Sequence, residues 1–179
     1  MLNTFVVYVE NKPGVLTRVA SLFRRRGFNI DSLTVGRTEK PEVSRMTISL
    51  EADKDQARRI EANLYKLVNV ILVENITAIP AIVRDLAMIK VAAARSNVLE
   101  LASVFRGRVI DVAPESLTIE ITGTEDKIDG LIEVLRPLGV LEMVRTGIVA
   151  MRRGARTNQA ATSDRATDPA IAEDVSHSV

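Results

Sequence analysis

The chain has the same predicted order of elements twice, strand–helix–strand–strand–helix–strand, and this doubling constrains its fold more than any other feature. Apolar and polar residues alternate over residues 45–50 and again over 117–122, which predicts a half-buried strand in each half. Other strands are predicted from apolar and β-branched runs at residues 3–10, 28–35, 68–73, 86–92, 109–112 and 141–151. The two halves share this order but few residues.

Helical spacing predicts two helices between the strands of each half. In residues 14–26 four apolar side chains recur on one face of a predicted helix: Leu16, Val19, Ala20 and Phe23. Asp53, with Gln56 three residues later, predicts a capping box at the start of the second helix. The second half repeats the helical spacing over residues 98–105 and 125–135.

This order of elements predicts an α+β fold of two tandem ferredoxin-like βαββαβ domains. Each domain is expected to have four antiparallel strands with two helices on one face of the sheet. We place the first domain at residues 1–76, a linker at 77–82 and the second domain at 83–152. Residues 153–179 are polar and have no periodicity, which predicts a disordered tail.

Composition argues against several classes of function. The 24 Lys and Arg residues nearly balance the 23 Asp and Glu residues. The chain therefore has no large excess of positive charge that would favour binding to nucleic acid or to an anionic membrane surface. A sheet of this kind can bind RNA through aromatic side chains exposed on one face. The two aromatic residues of the first predicted strand, Phe5 and Tyr8, face opposite sides of the sheet, which argues against RNA binding. No apolar run reaches the length of a membrane span, and the N-terminus does not resemble a signal peptide. We therefore expect a cytoplasmic protein.

The residue inventory gives no catalytic or metal-binding constellation. The chain has no cysteine, and its single histidine, His177, lies in the predicted tail. Neither a phosphate-binding loop nor a dinucleotide fingerprint occurs. The strand carboxylates Glu10, Asp111 and Glu120 are expected to be ordinary solvated groups. The sequence thus predicts no catalytic residue and no metal site.

A basic run, Arg24-Arg25-Arg26, ends the first predicted helix. One interpretation is a solvated helix end, because positive side chains complement the negative end of the helix dipole. The other is a contact with an acidic surface of a partner.

The segment from Asn11 to Leu16 is the one part of the sequence that we single out as a candidate ligand-binding segment. Pro13 suits a helix start, and Gly14 lets a ligand or another backbone approach closely. The N–H groups that follow, near Val15 and Leu16, would be unpaired and attractive to a carboxylate. Asn11 and, further on, Asn29 offer donors and acceptors for a free amino acid. The same pattern is also a plain turn into a helix, and both interpretations stay open on the residues alone.

Several motifs carry a family resemblance. Residues 11–19, Asn-Lys-Pro-Gly-Val-Leu-Thr-Arg-Val, resemble the first loop and helix of ACT domains, which are small-ligand regulatory modules of amino-acid metabolism. Residues 25–35, Arg-Arg-Gly-Phe-Asn-Ile-Asp-Ser-Leu-Thr-Val, resemble the acetolactate synthase small subunit, as do residues 44–48, 64–68 and 105–112. This resemblance covers about residues 1–152.

The resemblance implies a non-catalytic regulatory subunit with an N-terminal ACT domain and a C-terminal ACT-like domain. It implies a homodimer through the ACT domains, valine as an inhibitory effector and a catalytic large subunit as the partner. Thiamine diphosphate, FAD and Mg²⁺ would belong to that partner, and this chain would hold no cofactor. The positions that match the effector site are Asn11, Gly14 and Asn29, with Val15, Leu16 and Ile30 beside them.

The sequence also allows two alternative functions to be considered. One is an ACT-type amino-acid sensor that regulates a different enzyme or a transcriptional system. The other is an independent enzyme on a ferredoxin-like fold, against which the absence of cysteine and of a usable histidine argues. The second half lacks an Asn-x-Pro-Gly segment, so we expect it to have a structural and partner-contacting role.

Overall fold

The computed structural model describes residues 1–92 and 97–154, which form two compact units. Most of the first unit is residues 1–31 and 35–80, and residues 152–154 belong to it as well. The second unit comprises Ala81–Met151 together with Ser32–Thr34. The predicted tail lies, from residue 155 on, outside the described residues. No helix in the described ranges is both long and apolar enough to cross a membrane.

The first unit, whose sheet also includes Ser32–Thr34, has the predicted βαββαβ order. Its elements are β1 (Leu2–Glu10), α1 (Val15–Arg25), β2 (Ser32–Arg37), β3 (Val43–Glu51), α2 (Lys54–Leu64) and β4 (Val70–Asn75). The strands form one sheet in the order β2-β3-β1-β4, and β1 lies antiparallel to both β3 and β4. The two central strands, β1 and β3, are therefore adjacent in the sheet although α1 and β2 separate them in sequence.

Cross-strand apolar pairs form the centre of the first unit. Phe5 lies opposite Ile48 and Val7 opposite Met46, and all four side chains are buried. Because side chains directly opposite each other share a face of the sheet, these pairs make one continuous apolar surface.

The predicted capping box at the start of α2 is confirmed. The Gln56 N–H donates to Asp53 Oδ1 at 2.8 Å, and the Asp53 N–H donates to Gln56 Oε1 at 2.9 Å. Two backbone donors that the helix itself cannot satisfy are thus paired by side chains.

The second unit repeats the order and adds a strand. Its elements are β5 (Ala81–Ala92), α3 (Asn97–Val104), β6 (Arg108–Ala113), β7 (Ser116–Gly123), α4 (Glu125–Leu135), a 3₁₀ turn (Arg136–Leu138), β8 (Val140–Arg145) and β9 (Val149–Arg152). The sheet order is β6-β7-β5-β8, with β9 also paired to β5. Aliphatic residues of β5 and β7 and of both helices, such as Ile89, Ile119 and Leu131, form its core. The fold class is thus α+β with two ferredoxin-like units.

Several predicted strand boundaries were wrong. The predicted strand at residues 28–35 is β2, which begins only at Ser32, and β5 begins at Ala81, inside the predicted linker. The predicted closing strand at 141–151 is two strands, because Gly147 adopts φ +85° between β8 and β9. A residue with positive φ does not fit an extended strand, so the chain turns there.

The predicted apolar face of α1 coincides only in part with the buried face, at Val19 and Phe23. The buried side chains are Val15, Val19, Leu22 and Phe23, whereas Leu16 is 43% exposed. The helix is therefore rotated so that Leu16 points to solvent, where a ligand or a partner can reach it.

The core of the second unit gives a direct test of the register of β5. Ile89 is fully buried and its neighbour Met88 is 39% exposed, as expected for successive residues of a strand. We expect Ile89→Ala to lower the free energy of unfolding by about 2–5 kcal/mol, because it leaves a cavity. Met88→Ala should cost less than about 1 kcal/mol. Urea unfolding of both variants measures the difference, and equal losses would contradict this register.

Candidate functional site

A left-handed turn at Gly14 joins β1 to α1. Gly14 has φ +81° and is the N-cap of α1; the Arg18 N–H donates to its carbonyl oxygen at 3.1 Å, and no side chain caps the helix. A Cβ atom at this position would have no heavy atom within 4 Å. The need for glycine is therefore one of backbone conformation rather than of space, since φ in this region costs other residues about 1–2 kcal/mol. The open space above the turn is available to a ligand.

Asn11 connects the turn to the loop between β2 and β3 through two hydrogen bonds. Its backbone N–H donates to the carbonyl oxygen of Glu42 at 2.7 Å, and its side-chain Nδ2 donates to that of Pro41 at 2.8 Å. One amide hydrogen is thus engaged within the chain. The side-chain carbonyl and the second amide hydrogen are the groups through which Asn11 can contact a ligand.

A polar network holds the same turn from the other side. Asn69, just before β4, donates through Nδ2 to Glu10 Oε2 and accepts from Arg18 Nη1 at 2.6 Å. Lys12 Nζ lies 3.1 Å from the same Glu10 oxygen. The hydrogen bonds from Asn69 and then Lys12 hold the pKa of Glu10 below its ordinary value. Both ends of the turn are thereby tied to one asparagine, 59 positions from Glu10 in the sequence.

The first turn of α1 supplies backbone donors and one apolar side chain. The Val15 side chain is buried in the core, so only its backbone can reach a ligand, and its N–H already makes a long 3.4 Å bond to the Lys12 carbonyl. The next N–H groups, of Leu16 and Thr17, have no acceptor within the helix at this position. Leu16 is exposed beside them. The helix start therefore presents backbone N–H groups of the kind that suit a carboxylate, next to an exposed aliphatic side chain.

Asn29 and Ile30 lie at the opposite end of α1 from Gly14. The helix has 11 residues, which corresponds to about 16 Å at the standard rise per residue. Asn29 is exposed and its Nδ2 makes only a 3.5 Å contact with Asp31 Oδ1, and Ile30 is half-buried. Within one chain, the structure therefore does not bring these two residues together with Asn11 and Gly14.

A polar cleft that the sequence did not reveal lies next to Asn29. It has a volume of about 500 Å³. It is lined by Arg26, Gly27, Phe28, Asn29, Asp31, Glu51, Gln56, Arg59 and Asn63. Arg26 Nη2 donates to Asn63 Oδ1 at 3.0 Å, which links the end of α1 to α2. No periodicity brings residues 26 and 63 together, so only the tertiary fold could show this cleft.

The strand carboxylates that the sequence singled out differ in their surroundings. Asp111 is exposed on β6, as predicted for a solvated group. Glu120 forms an ion pair with Arg108, and Glu10 belongs to the network at the Gly14 turn. These two are therefore engaged within the chain, which the sequence did not predict because Asn69 and Arg108 are distant in sequence from the carboxylates that they contact.

A buried carboxylate that the sequence did not single out lies on β5. Asp85 is 2% exposed and accepts from Arg145 Nε at 2.8 Å. Its other oxygen accepts from the Thr146 hydroxyl and the Gly147 N–H. Because both oxygens are bonded within the chain, Asp85 orders the turn between β8 and β9. Among residues 1–92 and 97–154, no cluster of His, Asp or Glu is placed to hold a metal ion.

The network at Glu10 makes stability depend on pH. Because the folded-state pKa is lowered, the contribution of Glu10 is present above its ordinary value of 4.5 and is lost as pH falls through the lowered pKa. We expect Glu10→Gln to lower the melting temperature at about pH 7, and we expect this difference from the wild type to shrink as the pH falls below 4.5.

Thermal unfolding across this pH range checks the expectation. Asn69→Ala is the matched variant, because it removes the main cause of the lowered pKa. When Asn69→Ala is present, adding Glu10→Gln should change the melting temperature less, and its effect should depend less on pH. An effect of Glu10→Gln that is independent of pH in the wild-type chain would show that the Glu10 network does not hold the turn.

Two family models match the chain, one on each unit. The model described as an AHAS small subunit-like ACT domain matches residues 5–72. The model described as the small subunit of acetolactate synthase matches residues 84–154.

Curated relatives and a solved structure agree with these matches. The acetolactate synthase small subunit of Mycobacterium leprae is 50% identical over 157 residues, covering 86% of this chain and 93% of its own length. The probable acetolactate synthase small subunit of Methanothermobacter thermautotrophicus is 47% identical over 153 residues, covering 83% and 91%. The crystal structure of the small subunit from Thermotoga maritima has a TM-score of 0.82 at 42% identity, covering 87% of this chain and 99% of that one.

Proposed function

The chain belongs to the family of acetolactate synthase small subunits, and from this membership we propose that it activates the catalytic large subunit and confers inhibition by valine. The observation that carries the proposal is the match of small-subunit models to both halves of the chain. The match at residues 84–154 lies outside the ACT domain, which favours this function over an amino-acid sensor for another enzyme or a transcriptional system.

We place the chemistry in the large subunit. This chain has no cysteine and one histidine, His177. The carboxylates of Glu10, Asp85 and Glu120 are held in ion pairs and hydrogen bonds. Thiamine diphosphate, FAD and Mg²⁺, which the family resemblance implies for the holoenzyme, would accordingly be bound by the partner. The contribution of this chain is then to bind the partner and valine, and to couple the two.

The proposed valine site combines two copies of the chain. One copy supplies the start of α1, where backbone N–H groups take the carboxylate, Asn11 adds a polar contact and Leu16 contacts the aliphatic side chain. The other copy supplies Asn29 and Ile30, because these lie about 16 Å away at the far end of α1 within a single chain. The strand β2 stands at an edge of the first sheet, which suits pairing between two ACT domains.

Valine binding would then bias the geometry of the dimer and change how it docks on the large subunit. A ligand that bridges two protomers favours the arrangement in which both halves of the site meet, and this is the differential binding that allostery requires. Coupling of this kind is typically about 1–3 kcal/mol.

Gly14→Asp tests the carboxylate site. A side-chain carboxylate at this position would occupy the open space and repel valine, so the reconstituted holoenzyme should keep its activation but lose inhibition. Gly14→Ala is the control for backbone strain, because it brings a Cβ atom to the same left-handed φ without a charge, and it should retain part of the valine response. Acetolactate formation with increasing valine measures both. Unchanged inhibition of the Gly14→Asp holoenzyme would show that valine binds elsewhere.

A mixed dimer tests whether two copies share each site. Gly14→Asp and Asn29→Ala homodimers have no intact site, whereas a heterodimer of the two has one intact site and one with both defects. Valine binding, measured by calorimetry on purified heterodimer, should therefore return at roughly half the wild-type stoichiometry, as two-fold symmetry requires. If the heterodimer binds no valine, the two residues do not act across the interface.

A further inference from the structure

The turn between β8 and β9, residues 146–148, binds two hydroxyl groups of β2. The Ile148 N–H donates to Ser32 Oγ at 2.9 Å, and the Thr34 hydroxyl donates to the Ile148 carbonyl oxygen at 2.7 Å. Ser32 and Thr34 share one face of β2 because the side chains of a strand alternate. Both polar backbone groups of Ile148 are thus paired, and Ser32–Thr34 accordingly belongs to the second unit.

Gly147 allows the turn to approach these residues closely. It adopts φ +85°, a conformation that residues with a side chain rarely adopt, and a Cβ atom there would collide with Ser32 Oγ. The same Cβ atom would lie 3.6 Å from Thr34 Cγ2. Glycine is therefore required at this position both for its backbone angle and for its small size.

Asp85, on β5, fixes the conformation of the same turn. Its Oδ1 accepts from the Gly147 N–H at 3.0 Å and from the Thr146 hydroxyl at 3.1 Å, and its Oδ2 accepts from Arg145 Nε at 2.8 Å. A carboxylate that is only 2% exposed is costly to bury unless it is fully paired. This buried charge thus orders three successive residues immediately before Ile148, the residue that binds β2.

The two hydroxyl residues closely follow the candidate effector residues at the end of α1. Asn29 and Ile30 lie between α1 and β2, and Ser32 comes two positions after Ile30. Two residues of chain span at most about 7 Å, so the position of Ser32 limits where the Ile30 backbone can lie. The Asp31 N–H, which donates to the Ser49 carbonyl oxygen at 2.9 Å, is a second attachment of this segment.

We propose that Ser32 and Thr34, held by the turn between β8 and β9, position Asn29 and Ile30 for the effector. The two hydroxyl residues and Asp85 are then positioning residues, which act on the effector through the backbone that they hold. This inference rests on the proposed valine site and adds to it a contribution from the second unit. Because such coupling is reciprocal, valine in turn stabilises the hydrogen bonds of the turn.

A pair of substitutions at Thr34 tests the role of its hydroxyl. Thr34→Val removes the hydroxyl group at nearly constant size, and Thr34→Ser keeps it. We expect Thr34→Val to weaken valine binding by roughly three- to tenfold, the usual effect of losing one hydrogen bond, and Thr34→Ser by less than about twofold. Calorimetry on the full chain measures the affinity, and thermal unfolding of the same samples checks that both variants are folded.

Asp85→Asn extends the test to the turn itself, because it removes the charge that pairs with Arg145. Glu120→Gln is the matched control, since it makes the same change of charge in the same unit at an ion pair with Arg108, outside the turn. We expect Asp85→Asn to weaken valine binding by roughly threefold or more and Glu120→Gln by less than about twofold. If Asp85→Asn prevents folding, the two Thr34 variants decide.

Hydrogen exchange adds a readout that a purely structural role would not change. In the wild-type chain, saturating valine should slow exchange of the Ile148 amide, whose acceptor is Ser32 Oγ. The Gly107 amide, which donates to the Ala102 carbonyl oxygen at 2.7 Å in the same unit, should exchange at an unchanged rate.

The outcomes separate this inference from the proposed function. Wild-type valine affinity in Thr34→Val and Asp85→Asn, an equal loss in Glu120→Gln, or exchange at Ile148 that does not respond to valine would overturn the positioning role. Each of these results leaves the proposed valine site in place. A wild-type chain that binds no valine at all would overturn both.

Discussion

The left-handed backbone at Gly14 is the constraint on which the candidate site depends. It turns the chain from β1 into α1 within four residues, and the N–H groups of Leu16 and Thr17 that follow have no acceptor within the helix. Two independent attachments hold this turn. Asn11 binds the β2–β3 loop, and Glu10 and Arg18 meet on Asn69. The helix start is therefore preorganised, which lowers the entropy that a ligand must overcome on binding.

The two units use one topology for different purposes. In the first unit, α1 starts at the open Gly14 turn, and the helix together with its C-cap carries four arginines. In the second unit, α3 has no basic residue and its apolar residues Leu99 and Val104 are exposed. The buried Asp85–Arg145 pair orders the turn between β8 and β9, a segment for which the first unit has no counterpart. The shared order of elements thus fixes the sheet, while the loops and helix surfaces carry the differences.

The sequence predicted those features that depend on short spacings. Alternation located β3 and β7, and the capping box at Asp53 was found because its partners are three residues apart. Prediction from the sequence failed for features that depend on contacts between distant parts of the chain. The rotation of α1 that exposes Leu16 depends on packing, and the roles of Asn69 and Asn63 depend on contacts 37 to 59 residues distant in sequence. The domain boundaries and the effector residues remain predictions.

The separation of Gly14 and Asn29 by the length of α1 makes effector binding depend on how much of this subunit is present. If each effector site needs both ends of the helix, from different copies, a lone protomer has no complete site. Effector binding and self-association are then thermodynamically linked, so each strengthens the other. The concentration of effector needed to fill the proposed site would then fall as more of this subunit is made. Expression level would in this way set the sensitivity of the proposed regulation.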